Sequence, residues 1–404
     1  MSFWDSEPEK PVFDFDREKA NLIENMDYLL TMSVEEQTLY KKWVELQGDT
    51  MIKDKSLIAT YYDLQWKPTD INNKELTIRE IEELDPYVEI VEDDAVQSTK
   101  WTYVRKMIHT MSWTANPGRN VKIFIKDRNS GKLLGLVSLA SDVTAMGVRD
   151  NYIGWTKEDK FAGGKLNNTT IATTIVSTQP FGYNFLGGKL IAALATAPEI
   201  RDYWKRKYSN PLVGIGTTSL YGIHSQYNGI PHFKTLGESK GKISTKPDDS
   251  VYDPWHQWIK ENRSEWYSKN ITQERERNGA SMGYEKNGPV SGIKQKIIQS
   301  IYKELGIKSD AYDHGFQRGV YFAQMYENGH EFLCDKITEE ELVLKDKFKN
   351  GIQYTMDWWK KKAKNRYIKL YDEGKIKPEV LFYVDAIGIS WEKMKELYLS
   401  EVGR

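Results

Sequence analysis

The stretch TTIATTIVSTQPFGYNFLGGKLIAAL, Thr169 to Leu194, decides how the rest of the chain is read. Its opening run is dense in Thr, Ile and Val and predicts a strand, because β-branched side chains suit a pleated surface and lose rotamer freedom in a helix. Its end places Leu190, Ile191 and Leu194, continued by Ala195, on one helical face. Between them lie two glycine-bearing turns. A helix start presents unpaired N–H groups and a partial positive charge, and glycine lets a phosphate approach the backbone. The same glycines also suit a plain strand-to-helix turn. Both readings stay open. The cofactor contacts under the first are Gln179, Gly182, Tyr183, Asn184, Gly187 and Gly188, with Lys189 as an added charge.

Working outward, Asn120 to Asp142 gives two alternating runs around an Asn-Ser-Gly turn, which predicts a hairpin. Downstream, PEIRDYWKRKY predicts a helix and PLVGIGTTSLYG a buried strand. Apolar residues at helical spacing between Lys19 and Gln47 predict an N-terminal helical region. After about Thr245 the expectation is helix alone, including AYDHGFQRGVYFAQMY behind a cap at Ser309-Asp310. The chain therefore reads as an α+β protein with an N-terminal helical extension (1–115), a mixed-sheet core (116–246) and a C-terminal helical region (247–404).

The 57 basic and 58 acidic side chains nearly cancel, so any electrostatic footprint must be local. A single cysteine, Cys334, excludes an internal disulfide and reads as a small packing residue. No secretory leader and no membrane-length apolar run is expected, which points to a cytoplasmic protein. His224, His232 and His256 lack ligand spacing, so no metal site is expected.

Three local features bear on function. From Gly216 to Asn228, hydroxyls, an imidazole and two phenols follow an apolar strand, where α/β folds commonly place ligand groups. His224 reads as a general base, Tyr227 as a general acid and Ser219 as a further reactive hydroxyl, although such residues near a turn are also ordinary hydrogen-bonding groups. From Asp357 to Tyr371, six cations and one anion share a helical stretch with four aromatics. Lys360, Lys361, Lys362, Lys364 and Arg366, with Lys240, are the nucleic-acid contacts under one reading; under the other, Lys stems simply cover a core-facing aromatic stripe. Gly388 between two apolar patterns resembles a helix-turn-helix turn. Between Glu80 and Asp94 lie eight acids and no base, read as a solvated face or, alternatively, as an acidic partner segment.

The strand, glycine loop, helix and strand order resembles the core of GNAT acyltransferases, whose Gln/Arg-x-x-Gly-x-Gly/Ala loop grips the pyrophosphate of acyl-coenzyme A. Gln179 and Gly182 match that loop, and Asn184 departs from it. A wider resemblance runs from Asn116 to Lys246. Ile153-Gly154-Trp155, Tyr227-Asn228 and Leu236-Gly237-Glu238-Ser239-Lys240-Gly241 are similar to the Druantia domain family of phage and anti-phage-defence proteins. The fold order also resembles Mom-like phage enzymes that modify adenine in DNA. These resemblances imply group transfer from an acyl-CoA thioester to DNA, with partners from a phage or defence system. The alternative they leave is a DNA-binding or assembly protein that keeps the fold without the cofactor.

Overall fold

The computed structural model describes residues 12–48, 55–113, 118–220, 225–239, 243–276, 292–314, 317–378 and 383–402. The chain divides into two compact units, each assembled from two separate stretches: Met1–Gln37 with Lys242–Phe316, and Thr38–Gly241 with Gln317–Arg404.

The larger unit is built on a seven-stranded, mostly antiparallel open sheet. Its strands are β1 (Pro86–Val91), β2 (Asn120–Asp127), β3 (Leu133–Ser141), β4 (Thr169–Ser177), β5 (Gly214–Ser219), β6 (Lys234–Glu238) and β9 (Gly319–Gln324), in the order β1-β2-β3-β4-β5-β9-β6. The β2–β3 hairpin closes as its sequence predicts. Asp127 Oδ2 accepts from the Ser130 amide and hydroxyl, and Gly131 takes a left-handed φ of 69°.

One sheet face carries Ile123, Val137, Leu139, Ala172 and Ile175. It packs against the helices Gly187–Leu194, Pro198–Tyr208 and Gln353–Asp372. The helix Ala95–Ile108 lies over the opposite face of β2. Asp94 caps it, Lys100 sits over the Phe124 ring and Trp101 donates to Ile123 O. Farther along that face, the helix Gly147–Ile153 puts Tyr152 against Phe322 of β9.

Among the described strands of this sheet, one neighbouring pair is parallel. β4 and β5 share three register pairs, Thr169 with Gly214, Thr170 with Ile215 and Ile171 with Gly216, and no pairing continues beyond them. The C-terminal half of β4 thus runs on without β5 alongside it.

The expectation that strands stop after Thr245 is corrected by β9. GVYFAQ inserts between β5 and β6, with antiparallel registers on both sides. A strand covered on both faces reads as an apolar run without alternation, and over six residues periodicity does not separate it from a buried helix. The Ser309-Asp310 cap is corrected with it, since no α-helix begins there. Two more short strands follow Gly241: β7 (Ile243–Ser244) pairs with β8 (Asp313–His314) in the smaller unit.

In that smaller unit, the helices Phe15–Leu30, Asp249–Asn262 and Ile293–Leu305 bury Leu22, Met26, Trp255, Ile259, Ile297 and Ile301. The Trp255 indole donates to Glu18 O, and Phe13 and Phe15 close around it edge-on.

The acidic run is neither bare nor free. Glu82 pairs with Lys364, Asp85 with Arg128, Glu89 with Lys126, Glu92 with Arg206 and Asp93 with Lys207, while Asp94 caps a helix. Each exposed pair contributes little to stability. Together they supply the acidic segment with cations from its own fold, on and beside an edge strand that charge keeps from pairing with other chains.

Candidate functional site

The divergence of β4 and β5 opens toward the loop that follows β4. Residues 225–229, which come after β5, return to this point. Gln226 Nε2 donates to Ile175 O of β4, and Lys189 Nζ donates to the carbonyls of Gln226 and Asn228. Tyr227 is buried, with its ring 5.2 Å from that of Tyr321 and its hydroxyl hydrogen-bonded with the side chains of Thr217 and Gln226. Burial pushes the phenol pKa up, so the group stays protonated across neutral pH. Tyr227 is therefore a neutral proton donor set against β5. Ser219 closes β5 and is buried. His224, the predicted base, lies outside the described residues, as does Lys240.

The six predicted cofactor contacts separate into two groups. Gln179 to Asn184 form a tight turn with the short helix Phe181–Phe185. There the Gly182 amide donates to Thr178 O, the Tyr183 amide to Gln179 Oε1 and the Asn184 amide to Pro180 O. The Asn184 side chain is buried and clamps a distant segment, donating to Lys377 O at 2.7 Å and accepting from the Lys377 amide at 3.1 Å. A diphosphate does not fit this turn, because the amides it would need are already bonded. The Asn at the position where the resemblance asks for Gly or Ala has a structural use.

Gly187 and Gly188 differ. They open an eight-residue helix from Leu186, which has a left-handed φ of 54°, so their amides have no partner within the helix. A side chain at Gly188 would collide with Gln226 Oε1, which means that an acceptor oxygen from a side chain already sits over the helix start. An anion could reach this helix start only if Gln226 turned away. Gly187, Gly188 and Lys189 are the residues that would hold it.

The basic helix also divides. Trp359, Ala363 and Tyr367 face the core; the Trp359 indole donates to Phe185 O and Leu186 O, and Tyr367 Oη donates to Ile71 O. Lys360 donates to Glu82 O, and Lys364 pairs with the Glu82 carboxylate. Lys361 and Lys362 are exposed, and Arg366 lies 5.3 Å from the Tyr183 ring centre. Gly388 has a left-handed φ, and the described residues just before it, from 383, form the short turn Tyr383–Ala386. Gln47 holds this turn by bonding Ala386 O and the Gly388 amide.

One cluster escaped the sequence reading. At the other end of β4, Arg149 pairs with Asp142 at 2.6 Å and Asp150 at 2.7 Å; Lys160 pairs with Asp150, and the Thr169 hydroxyl donates to Asp142. Burial pushes the Asp142 carboxyl up while Arg149 opposes the shift. These groups neutralise one another as ion pairs and serve the fold, although Arg149 Nη1, in charge contact with Asp142, makes no hydrogen bond of good geometry. Cys334 touches the carbonyls of Ile153 and Gly154, and burial pushes its thiol up, away from a reactive thiolate. Among the described residues no three His, Cys, Asp or Glu side chains gather as a metal site, and no helix is long and apolar enough to cross a membrane.

Comparison with known proteins places the chain in a family. The model of the Druantia protein DruA family matches residues 65–335, more than half of the chain, and the chain belongs to that family. It is similar to the Druantia protein DruA of Escherichia coli (strain UMEA 4076-1), with 24% identity over 271 residues. The match covers 62% of this chain and 63% of that relative, so it spans somewhat less than two thirds of the relative's length. No solved structure matches.

Proposed function

We propose that this chain works in anti-phage defence as a nucleic-acid-directed group transferase with a GNAT-like core, alongside other proteins of its defence system. Family membership supports the defence setting. One observation carries the chemistry: β5 leaves β4 after three register pairs, and Tyr227, neutral and buried, is hydrogen-bonded with Thr217 beside that divergence. An acyl-CoA thioester bound there would supply the acyl group. Tyr227 Oη would give its proton to the departing sulfur, Thr217 would fix the phenol, and Gly187, Gly188 and Lys189 would take the phosphate end after Gln226 swings out. His224 is the base proposed to take the proton from the attacking nitrogen of a DNA base.

The test is the nucleoside mass spectrum of DNA from cells expressing the chain. Modified nucleosides are expected with wild type, with modification reduced by about 10²–10⁴-fold in Tyr227→Phe at unchanged melting temperature. Modification at the wild-type rate in Tyr227→Phe would remove the phenol from the mechanism.

The bonded amides of the 179–184 turn favour a second reading, a nucleic-acid-binding or assembly protein that keeps the sheet without the cofactor. Coenzyme A separates the two. Under the transferase reading it raises the melting temperature by mass action, and more so in Gln226→Ala, where the helix start is uncovered. No shift in either protein supports the second reading.

A further inference from the structure

The helix Gln353–Asp372 carries a row of side chains four residues apart: Tyr354, Trp358, Lys362 and Arg366. In a helix this spacing lines them along one face, over about 18 Å at 1.5 Å per residue. Tyr354 is 45% exposed, Trp358 is half-buried, and Lys362 Nζ lies 5.9 Å from the Trp358 ring centre. At the cationic end two more charges converge from other parts of the chain. Lys189 lies close enough to Lys362 for the charge to lower its pKa, although burial is the larger cause. Lys377, held by the Asn184 clamp, places its Nζ 5.1 Å from the Tyr183 ring that Arg366 also faces.

Among the described residues, Lys189, Lys362 and Arg366 have no carboxylate ion-pair partner, and Arg366 Nε is buried without a hydrogen-bond partner. The nearby acids are engaged elsewhere: Glu373 with Lys375 and Lys369, and Asp357 with Gln353. Lys360 and Lys364, one step around the helix, are held by Glu82.

We infer that this row, with Lys377, is a track for single-stranded nucleic acid that ends beside Lys189. The cations at 362, 366 and 377 take successive phosphates, while Tyr354 and Trp358 stack on unpaired bases. One exposed and one half-buried aromatic beside cations suit a strand whose bases are free; a duplex would use the charges alone. The inference rests on the nucleic-acid-directed reading above and names the surface that meets the strand.

Fluorescence anisotropy with a labelled single-stranded DNA oligonucleotide, and with the duplex of the same sequence, tests it on the full chain across a salt series. Tyr354→Ala is expected to weaken single-strand binding about fivefold or more and duplex binding by less than twofold. Lys362→Gln with Arg366→Gln is expected to weaken both, and to lower the single-strand salt slope by about 1.4. Lys360→Gln with Lys364→Gln should leave binding within about twofold of wild type. Arg366→Lys, which retains the charge, guards against misfolding in the double variant. Wild-type binding that is unchanged in the Tyr354 and Lys362/Arg366 variants would overturn the track alone. No binding of either oligonucleotide by wild type would overturn the nucleic-acid reading with it. Displacement of the strand by coenzyme A at matched phosphate concentration, with Tyr354→Ala silent, would reassign the cations to a nucleotide cofactor and overturn the track.

Discussion

Two faces of one helix, Gln353–Asp372, make opposite uses of the same residue types. On the inner face Trp359 and Tyr367 are fully buried, and each donates a hydrogen bond to a backbone carbonyl of the core. On the outer row Tyr354 and Trp358 keep part of their surface in solvent beside Lys362. The lysines divide as well, since Lys360 and Lys364 meet Glu82 while Lys361 and Lys362 stay exposed. Each helical residue turns the direction by about 100°, so a count of six cations and four aromatics says nothing about partner until it is sorted by angle.

The largest effect that would break this contrast belongs to the inner face. Trp359→Ala is expected to destabilise the unit by about 3–5 kcal/mol, because it removes a buried indole and leaves Phe185 O and Leu186 O without their donor. Denaturant unfolding followed by circular dichroism reads this, and an unchanged midpoint would mean that the helix is not anchored there.

Next comes His232, which is buried against Phe348 with Nε2 at 2.8 Å from the Thr355 hydroxyl. Burial and, secondarily, Lys347 lower its pKa to about 4 from the ordinary imidazole value of 6.5. As the pH falls from about 6.5 to about 4, the unfolded chain takes up a proton that the folded chain refuses. Stability from this group is therefore complete above about pH 6.5, declines by about 3 kcal/mol through that window and levels off below it. Unfolding midpoints across the pH range should show a shallower acid decline in His232→Gln, and equal slopes in the two proteins would contradict the assignment.

The smallest effect sharpens the contrast from outside. Lys364→Gln should cost no more than about 1 kcal/mol, as exposed pairs do, and the loss should vanish in high salt. A cost of several kcal/mol would place the Glu82 pair among the inner contacts.

The central strand, loop and helix could be read because their signals are local: the β-branched run of β4, the Asn-Ser-Gly turn, and the apolar face from Leu190 to Ala195. β9 could not, since its six residues look like any short apolar run, and their identity as a strand comes from β5 and β6 on either side. The candidate site was legible in outline. Tyr227 and the helix start at Gly187 do lie together, but the use of Asn184 depends on Lys377, which no local pattern connects to it. Likewise the pairing of the acidic run with Arg128, Arg206 and Lys364 is set by the folded path.

The place of β9 bears on how the chain is made and where it can be cut. When a ribosome has released the residues up to 246, β5 has one bare edge and β6 has no neighbour at all, since both wait for a strand that begins at Gly319. That edge is a template for the wrong strand during synthesis, and its long-range closure makes the sheet a late event. A fragment ending near residue 246 would keep most of the residues that resemble other proteins and lose the strand that joins the sheet's last two pieces. Expression trials that aim for a minimal core therefore need a boundary beyond Gln324.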